Sequence, residues 1–330
     1  MPLPPIPRSS QKAIGQILAA VKKHRTFFLT GHERPDGDTV GSELAFAGFL
    51  RRRGKKVTVA NTGPVPALFD FLPGVRNIQT AARVPGRFDC AVVFECSGPD
   101  RMGNIIDLKT QAGTVINIDH HAHHSRFGHI NLINPKTSSN SEQLAYVFER
   151  ARHTLNRAEA TALYVGLVTD SGRFQHNCTT PESHAVAALL LRRGVDVAEV
   201  HRHVYGTRSV SALRLLARAL AGLRLELDQR VAVLSLTQKD FAETGAGEDD
   251  TEDIVNHGLL PPSVAATVFL CELPKGGTKA SLRGKGAVDL CRLAVSLGGG
   301  GHKNAAGVTL PVSVERATQT LLDALAESLR

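Results

Sequence analysis

The feature that most constrains this chain is the run TVINI at 114–118, followed at once by Asp119, His120 and His121. A short β-branched, apolar run of this kind reads as a strand buried on both faces, the condition of strands in a parallel sheet. A carboxylate and two imidazoles at its C-terminal end then sit on rigid backbone, at the sheet edge where open α/β folds place their ligands. The arrangement recurs at His32, Asp36 and Asp38 after FFLT at 27–30, and at Asp170 after YVGLVT at 164–169. Carboxylate oxygens mixed with imidazole nitrogen suit a divalent ion such as Mn²⁺, and one or two such ions suit phosphoester hydrolysis.

The pattern around these runs alternates. Ser9 and Ser10 can cap a first helix with Ile14, Ile17, Leu18 and Val21 on one face. A strand at 27–30 leads through the loop 31–38 into a helix over 39–53, stopped by Gly54. Further strands are expected at 57–60, 90–94 and 114–118, and helices at 141–152, 158–169, 181–193 and 197–204. This predicts an α/β domain, a mostly parallel sheet flanked by helices. The apolar, Arg-studded stretch 208–227 reads as a connecting helix, with a core helix of one domain as the alternative. Beyond it come a strand at 231–236, an acidic, glycine-bearing segment at 244–253 and strands at 264–273 and 278–283. A helix at 288–297, the loop 298–307, a short strand and an amphipathic helix at 311–329 complete a smaller α+β domain. The expected division is 1–207, a connecting helix at 208–225, and 226–330.

A formal charge of +8 suits a polyanionic partner, though it serves solubility equally well. Five cysteines without a CxxC pair argue against a disulfide framework or structural zinc, and for a reducing cytoplasm. No apolar run approaches the roughly 20 residues needed to span a bilayer. The start MPLPPIPRSS lacks the apolar core of a signal peptide. A soluble cytoplasmic protein without a membrane partner is expected; oligomeric state is not readable, and a homodimer is compatible with all of this.

Five blocks carry chemistry. In GHERPDGDTVGS at 31–42, His32, Asp36 and Asp38 can converge on one point; helix capping would account for Asp38 alone. VVFECSGPDR at 92–101 ends a buried strand in Glu95, and Arg101 can meet a phosphate or simply face water. In NIDHHAHHSRFGH at 117–129, Asp119 can fix the tautomer of a metal-bound imidazole, while His123, His124 and His129 read as ordinary loop residues. Asp170, followed by Ser-Gly, needs a cation or donors if buried; a helix-ending aspartate is the bland alternative. In SLGGGGHKNAAG at 296–307, glycines let backbone N–H groups approach an anion, and His302 adds a donor. Ser281 and Arg283 on the neighbouring strand are natural companions for a phosphate or base.

Taken in order, these blocks resemble the DHH phosphoesterase superfamily with its DHH-associated C-terminal domain, most closely the nanoRNase type, oligoribonucleases that also hydrolyse 3′-phosphoadenosine-5′-phosphate. The resemblance spans nearly the whole chain. It implies an N-terminal catalytic domain with two Mn²⁺ ions, Mg²⁺ or Co²⁺ being the other ions such a site accepts. It also implies a C-terminal domain that binds substrate across the intervening cleft. His32 and Asp36 match ligands of one ion, and Asp38, His120 and Asp170 ligands of the second. Glu95 occupies the bridging position, where the family has Asp, and its extra methylene moves the carboxylate by about 1.5 Å. His121 would face the phosphate; Ser281, Arg283, Gly299, Gly300, Gly301 and His302 would hold the nucleotide. Implied substrates are RNA of two to five nucleotides, dinucleotides and 3′-phosphoadenosine-5′-phosphate. A linear or cyclic dinucleotide phosphodiesterase, or a non-catalytic nucleotide sensor motivated by Glu95, are the alternatives.

Overall fold

A computed structural model describes residues 3–121 and 124–329, so His123 lies outside the described residues. The chain divides into two compact units, Met1–Thr207 and Arg208–Arg330.

The first unit is built on six strands: β1 Thr26–Thr30, β2 Lys56–Asn61, β3 Ile78–Thr80, β4 Phe88–Phe94, β5 Ala112–Asp119 and β6 Ile130–Ile133. All neighbours pair in parallel, in the order β3-β2-β1-β4-β5-β6. Its helices are α1 Arg8–Lys23, α2 Gly37–Arg51, α3 Leu108–Gln111, α4 Asn140–Arg150, α5 Arg157–Asp170, α6 Pro181–Arg192 and α7 Val197–Val204. Strand alternation sends Phe27 and Leu29 into one core with Phe46 and Phe49 of α2, and Phe28 into a second core with Ala60, Ala91 and Val93. The sheet is therefore covered on both faces. Chain order reverses between β1 and β4, which makes a topological switch point there.

Helix α2 is buried almost all round because α5 lies against it, and small residues allow the approach: a Cβ on Gly41 would stand 2.3 Å from the Ala162 carbonyl oxygen. The cap of α2 is Asp36, whose side chain accepts from Thr39 N–H, so Asp38 sits inside the first turn and not at the cap.

The second unit contains α8 Val210–Ala221, β7 Arg224–Glu226, β8 Val231–Leu236, α9 Gln238–Thr244, α10 Ile254–His257, β9 Ala266–Glu272, β10 Thr278–Gly284, α11 Leu290–Ser296, β11 Gly300–His302, β12 Ala305–Leu310 and α12 Val314–Ser328. Its mixed sheet runs β11-β12-β10-β9-β8-β7. Three expectations change here. The helix expected over 208–225 ends at Ala221, and its Leu215 and Ala219 pack with Leu234, Leu236 and Phe269, so it is a core helix of this unit. The loop expected at 298–307 is largely a β-hairpin, Gly300–His302 against Ala305–Leu310. The C-terminal helix starts at Val314, where Ser313 caps it, and not at 311. Among the described residues no helix is long and apolar enough to cross a membrane.

Candidate metal centre

The carboxyl ends of β1, β4 and β5 bring the residues of the first unit together at the switch point. Directly after β1, Gly31 is obligatory, since a Cβ there would stand 2.1 Å from Thr39 Cγ2. His32 follows, buried, with Nε2 3.5 Å from Asp36 Oδ2; Asp36 is 49% exposed. Partial burial works against its charge, but the His32 bond and charge and the Thr39 N–H pull the Asp36 carboxyl down to about 2.

Asp38 is fully buried and points at the start of α4: Oδ2 accepts from Asn140 N–H at 2.5 Å and Oδ1 from Ser141 N–H at 2.9 Å. A helix N-terminus is where a carboxylate is most welcome. Glu95, just past β4, is 1% exposed and holds φ at 57°, a left-handed conformation that costs a non-glycine residue of order 1–3 kcal/mol. Strain at such a position marks a site where side-chain direction matters more than backbone comfort. His120 and His121 follow β5.

Asp170 is the last residue of α5, so the helix-ending reading and the ligand reading hold together. Its Oδ2 lies 2.8 Å from His120 Nε2, and Glu95 Oε2 lies 3.4 Å from the same nitrogen. One donor atom each from Asp38, Glu95, His120 and Asp170 falls within 4.8 Å of all the others. Glu95, His120 and His121 form a second such group, so Glu95 is common to both. His32 and Asp36 belong to neither group; they stand as a pair of their own.

The electrostatics fit a cation. Burial pushes the Asp38 carboxyl up to about 6, with the charge of Asp170 adding and His120 opposing. Burial likewise raises Glu95 well above the carboxylate range, against the pull of His120. For His120, burial acts downward, but the Glu95 charge and the Asp170 bond prevail and hold the imidazole well above its ordinary range. Without an ion, protons must take its place. Glu95 Oε1, Asp119 Oδ2 and His120 Nε2 are buried with no hydrogen-bond partner of good geometry. Buried lone pairs left open in this way are rare unless something else fills them. Three carboxylates and an imidazole suit a divalent ion taking oxygen and nitrogen ligands. His120 Nδ1 lies 3.4 Å from the Thr137 carbonyl, which favours its carrying the proton and leaving Nε2 as the lone pair. Asp119 accepts from His121 Nδ1 at 2.7 Å. Burial raises the Asp119 carboxyl, but the His121 bond and charge prevail and its pKa is lowered.

Several structural contributors escaped the sequence reading. Asn140 Nδ2 donates to the Ile118 carbonyl at 2.7 Å, and Gln143 Nε2 to the Asp119 carbonyl at 3.1 Å, so α4 grips the end of β5 as well as Asp38. Ser138 and Ser183 both donate to Glu142 Oε2, tying the same turn to α6. In TSSNSEQ at 137–143 these are only small polar residues at a helix start. The one usable signal was the Ser139 cap with Glu142 three residues on.

The remaining expected residues lie elsewhere. Arg101 sits on the exposed turn Pro99–Met102; its carbonyl accepts from Glu33 N–H, and no described contact joins its side chain to the cluster. Ser281 and Arg283 lie half-buried on β10, and Ser281 is in register with Gly307, which is in register with Gly300. A Cβ on Gly299 would meet the Gly307 carbonyl at 2.2 Å and one on Gly301 the Ala305 carbonyl at 2.4 Å, so these two glycines serve the hairpin itself. Gly300 faces open space within 4 Å, so packing does not demand a glycine there. His302 ends β11, and its side chain lies outside the described ones.

The sequence model of the DHH family, N-terminal domain, matches residues 26–167. A protein of Thermus thermophilus, the bifunctional oligoribonuclease and PAP phosphatase NrnA, is 30% identical over 98% of this chain and 97% of its own length. This chain belongs to the DHH family. As a member it is a metal-dependent hydrolase, which accords with a buried acid–imidazole cluster at the switch point. The Bacillus subtilis protein of the same name is 25% identical over 93% of this chain and 96% of its own length. Among solved structures, an exopolyphosphatase-related protein from Bacteroides fragilis superposes with a TM-score of 0.92 at 28% identity, covering 96% of each chain. The exonuclease RecJ bound to manganese matches with a TM-score of 0.55 at 14% identity over 99% of this chain and 95% of its own, a likeness of fold.

Proposed function

We propose that this DHH-family chain is a Mn²⁺-dependent hydrolase of RNA about two to five nucleotides long, releasing mononucleotides, and of 3′-phosphoadenosine-5′-phosphate. The observation that carries the reading is the convergence of Asp38, Glu95, His120 and Asp170 in a chain 30% identical, end to end, to a bifunctional oligoribonuclease and PAP phosphatase. Residues 1–207 supply the catalytic site and the second unit the substrate-binding surface. His32 and Asp36 would hold one ion and Asp38, His120 and Asp170 the other, with Glu95 available to both. The ions, when bound, supply positive charge for the phosphate and acidify a water.

The protein's own part is positional. α4 holds Asp38 through two backbone N–H groups, and Thr137 orients His120. Asp119 keeps the His121 ring fixed through Nδ1, so that the remaining ring nitrogen can face a phosphate oxygen. Ser281, Arg283, Gly299, Gly300, Gly301 and His302 receive the far end of the nucleotide, and Arg101 offers a further cation. Free cysteines among the described residues suit a reducing cytoplasm.

A cyclic-di-AMP phosphodiesterase PdeA of Listeria monocytogenes, 23% identical over 90% of this chain but 47% of its own length, supports cyclic dinucleotides as a second substrate class. Glu95 supports catalysis over mere sensing, because its carboxylate stands in both donor groups. The test is incubation with Mn²⁺ and pApA or 3′-phosphoadenosine-5′-phosphate, beside Glu95→Asp. Mononucleotide or phosphate release, with the variant no faster than the parent, is expected. No turnover of either substrate defeats the proposal, and a several-fold faster variant shows that Glu95 impairs the site.

A further inference from the structure

The acidic segment 244–253 and α10 wall a cavity of about 440 Å³ against β9 and β10 of the second unit. That size falls within the range of small-molecule sites. Its apolar lining includes Phe241, Phe269 and Cys271; its polar lining includes Ser281, Arg283 and Glu252. Three of the other polar groups are already engaged. Glu248 pairs with Lys279, Asp253 with Arg208 at 3.1 Å, and Glu272 accepts from Gln238 N–H. Glu252 has only a loose 4.0 Å approach to Arg208. Arg283, half-buried, makes one described hydrogen bond, to the carbonyl of Leu282. A guanidinium has five N–H donors, so most of its capacity is open to an acceptor.

Ser281 also stands at a junction. It lines the cavity and, through Gly307, is in register with Gly300, whose missing side chain packing does not explain. We propose that the cavity is a nucleobase subsite: the base lies against Phe241 and Phe269, Glu252 accepts its N–H donors, and Arg283 with Ser281 holds the sugar-phosphate end over the glycine hairpin. This rests on the reading of the chain as a hydrolase of short nucleotides and deepens it. The acidic rim repels phosphate from the base end, which fixes the orientation of the nucleotide. It also sets a preference. Guanine offers a carboxylate two adjacent donors on its Watson–Crick edge; uracil offers one, flanked by carbonyl oxygens that a carboxylate repels. Glu252 is 64% exposed, so the discrimination belongs at the low end of the range for such pairs, about fivefold.

Binding of GMP and UMP to the full-length, metal-loaded protein, measured by calorimetry, tests this without turnover. The expected result is GMP bound about fivefold more tightly than UMP, with Glu252→Gln narrowing the ratio to about twofold or less. Cys271→Phe, which fills the cavity, and Phe241→Ala, which removes a wall, should each weaken GMP about tenfold while leaving metal stoichiometry that of the parent. Phe241→Ala also lowers the unfolding temperature, because Phe241 packs against the Leu215–Phe269 core, so the variants are compared below both transitions. Short-RNA hydrolysis together with GMP affinity indifferent to both cavity variants overturns the subsite and leaves the proposed function standing. Absence of both hydrolysis and nucleotide binding overturns the two together.

Discussion

Replacing Gly166 by alanine should damage the metal centre from behind, without altering any ligand. Gly166 lies on α5 where that helix meets α2, and a Cβ there would stand 2.1 Å from Ser141 Oγ, 2.5 Å from Asp38 Oδ1 and 3.0 Å from Asp38 Cα. The serine hydroxyl can rotate away. Asp38 cannot, because it is fully buried and its carboxylate is held by the backbone of Asn140 and Ser141. An ordinary separation of about 3.5 Å asks the carboxylate or the helix to move by about 1 Å. That is twice the roughly 0.5 Å tolerance of a preorganised site. Two losses are expected: about 1–3 kcal/mol of stability from overpacking, and about 10–100-fold in metal affinity. Calorimetric Mn²⁺ titration and thermal unfolding with and without metal read them separately. Gly15→Ala is the control; its Cβ meets nothing within 4 Å on the exposed side of α1, and about 0.5–1 kcal/mol of added stability is expected. Wild-type metal affinity in Gly166→Ala would refute the claim that Asp38 is locked in place.

Glu43→Gln should flatten the pH dependence of the metal-free protein. Burial raises the Glu43 carboxyl to about 8, with the Asn61 bond opposing, against an ordinary value of 4.5. Between those values the folded state holds a proton that the unfolded chain has lost, so stability falls as pH rises, by up to about 1.4 kcal/mol per unit, until pH passes about 8. Melting at pH 6 and pH 8.5 should show the variant gaining on the parent at the higher pH, and parallel curves would contradict this. Gly300→Ala should fold normally and raise KM about tenfold, because its Cβ enters open space on the strand next but one to Ser281, in register with it through Gly307. Gly301→Ala, at φ 145° and 2.4 Å from the Ala305 carbonyl, should instead lower the melting temperature. If the two variants behave alike, the hairpin has been misread.

The strands that build the site were legible because β1, β4 and β5 are apolar runs ended abruptly by His, Asp or Glu. Periodicity could not settle Asp170, since α5 is buried nearly all round and an evenly apolar segment carries no phase. Nor could it reveal the hairpin, where glycines at 299–301 depress strand propensity although cross-strand register requires two of them. The chemistry-bearing residues of the first unit stood out as titratable groups at strand ends. Their supports did not: Asn140, Ser141 and Gln143 matter through partners about 20–100 residues away in sequence, a tertiary fact invisible in a polar helix start. The stretch 208–225 reads as a connector or as a core helix because its apolar face looks the same whichever core it covers; Leu234, Leu236 and Phe269 decide it.

The central claim is that Asp38, Glu95, His120 and Asp170 enclose a divalent ion. Crystals grown with Mn²⁺ and measured at its absorption edge test it directly. An anomalous peak within bonding distance of all four side chains is expected, with Glu95 facing a second peak beside His32 and Asp36. A protein that turns over pApA while showing no peak at that corner of the sheet would contradict it.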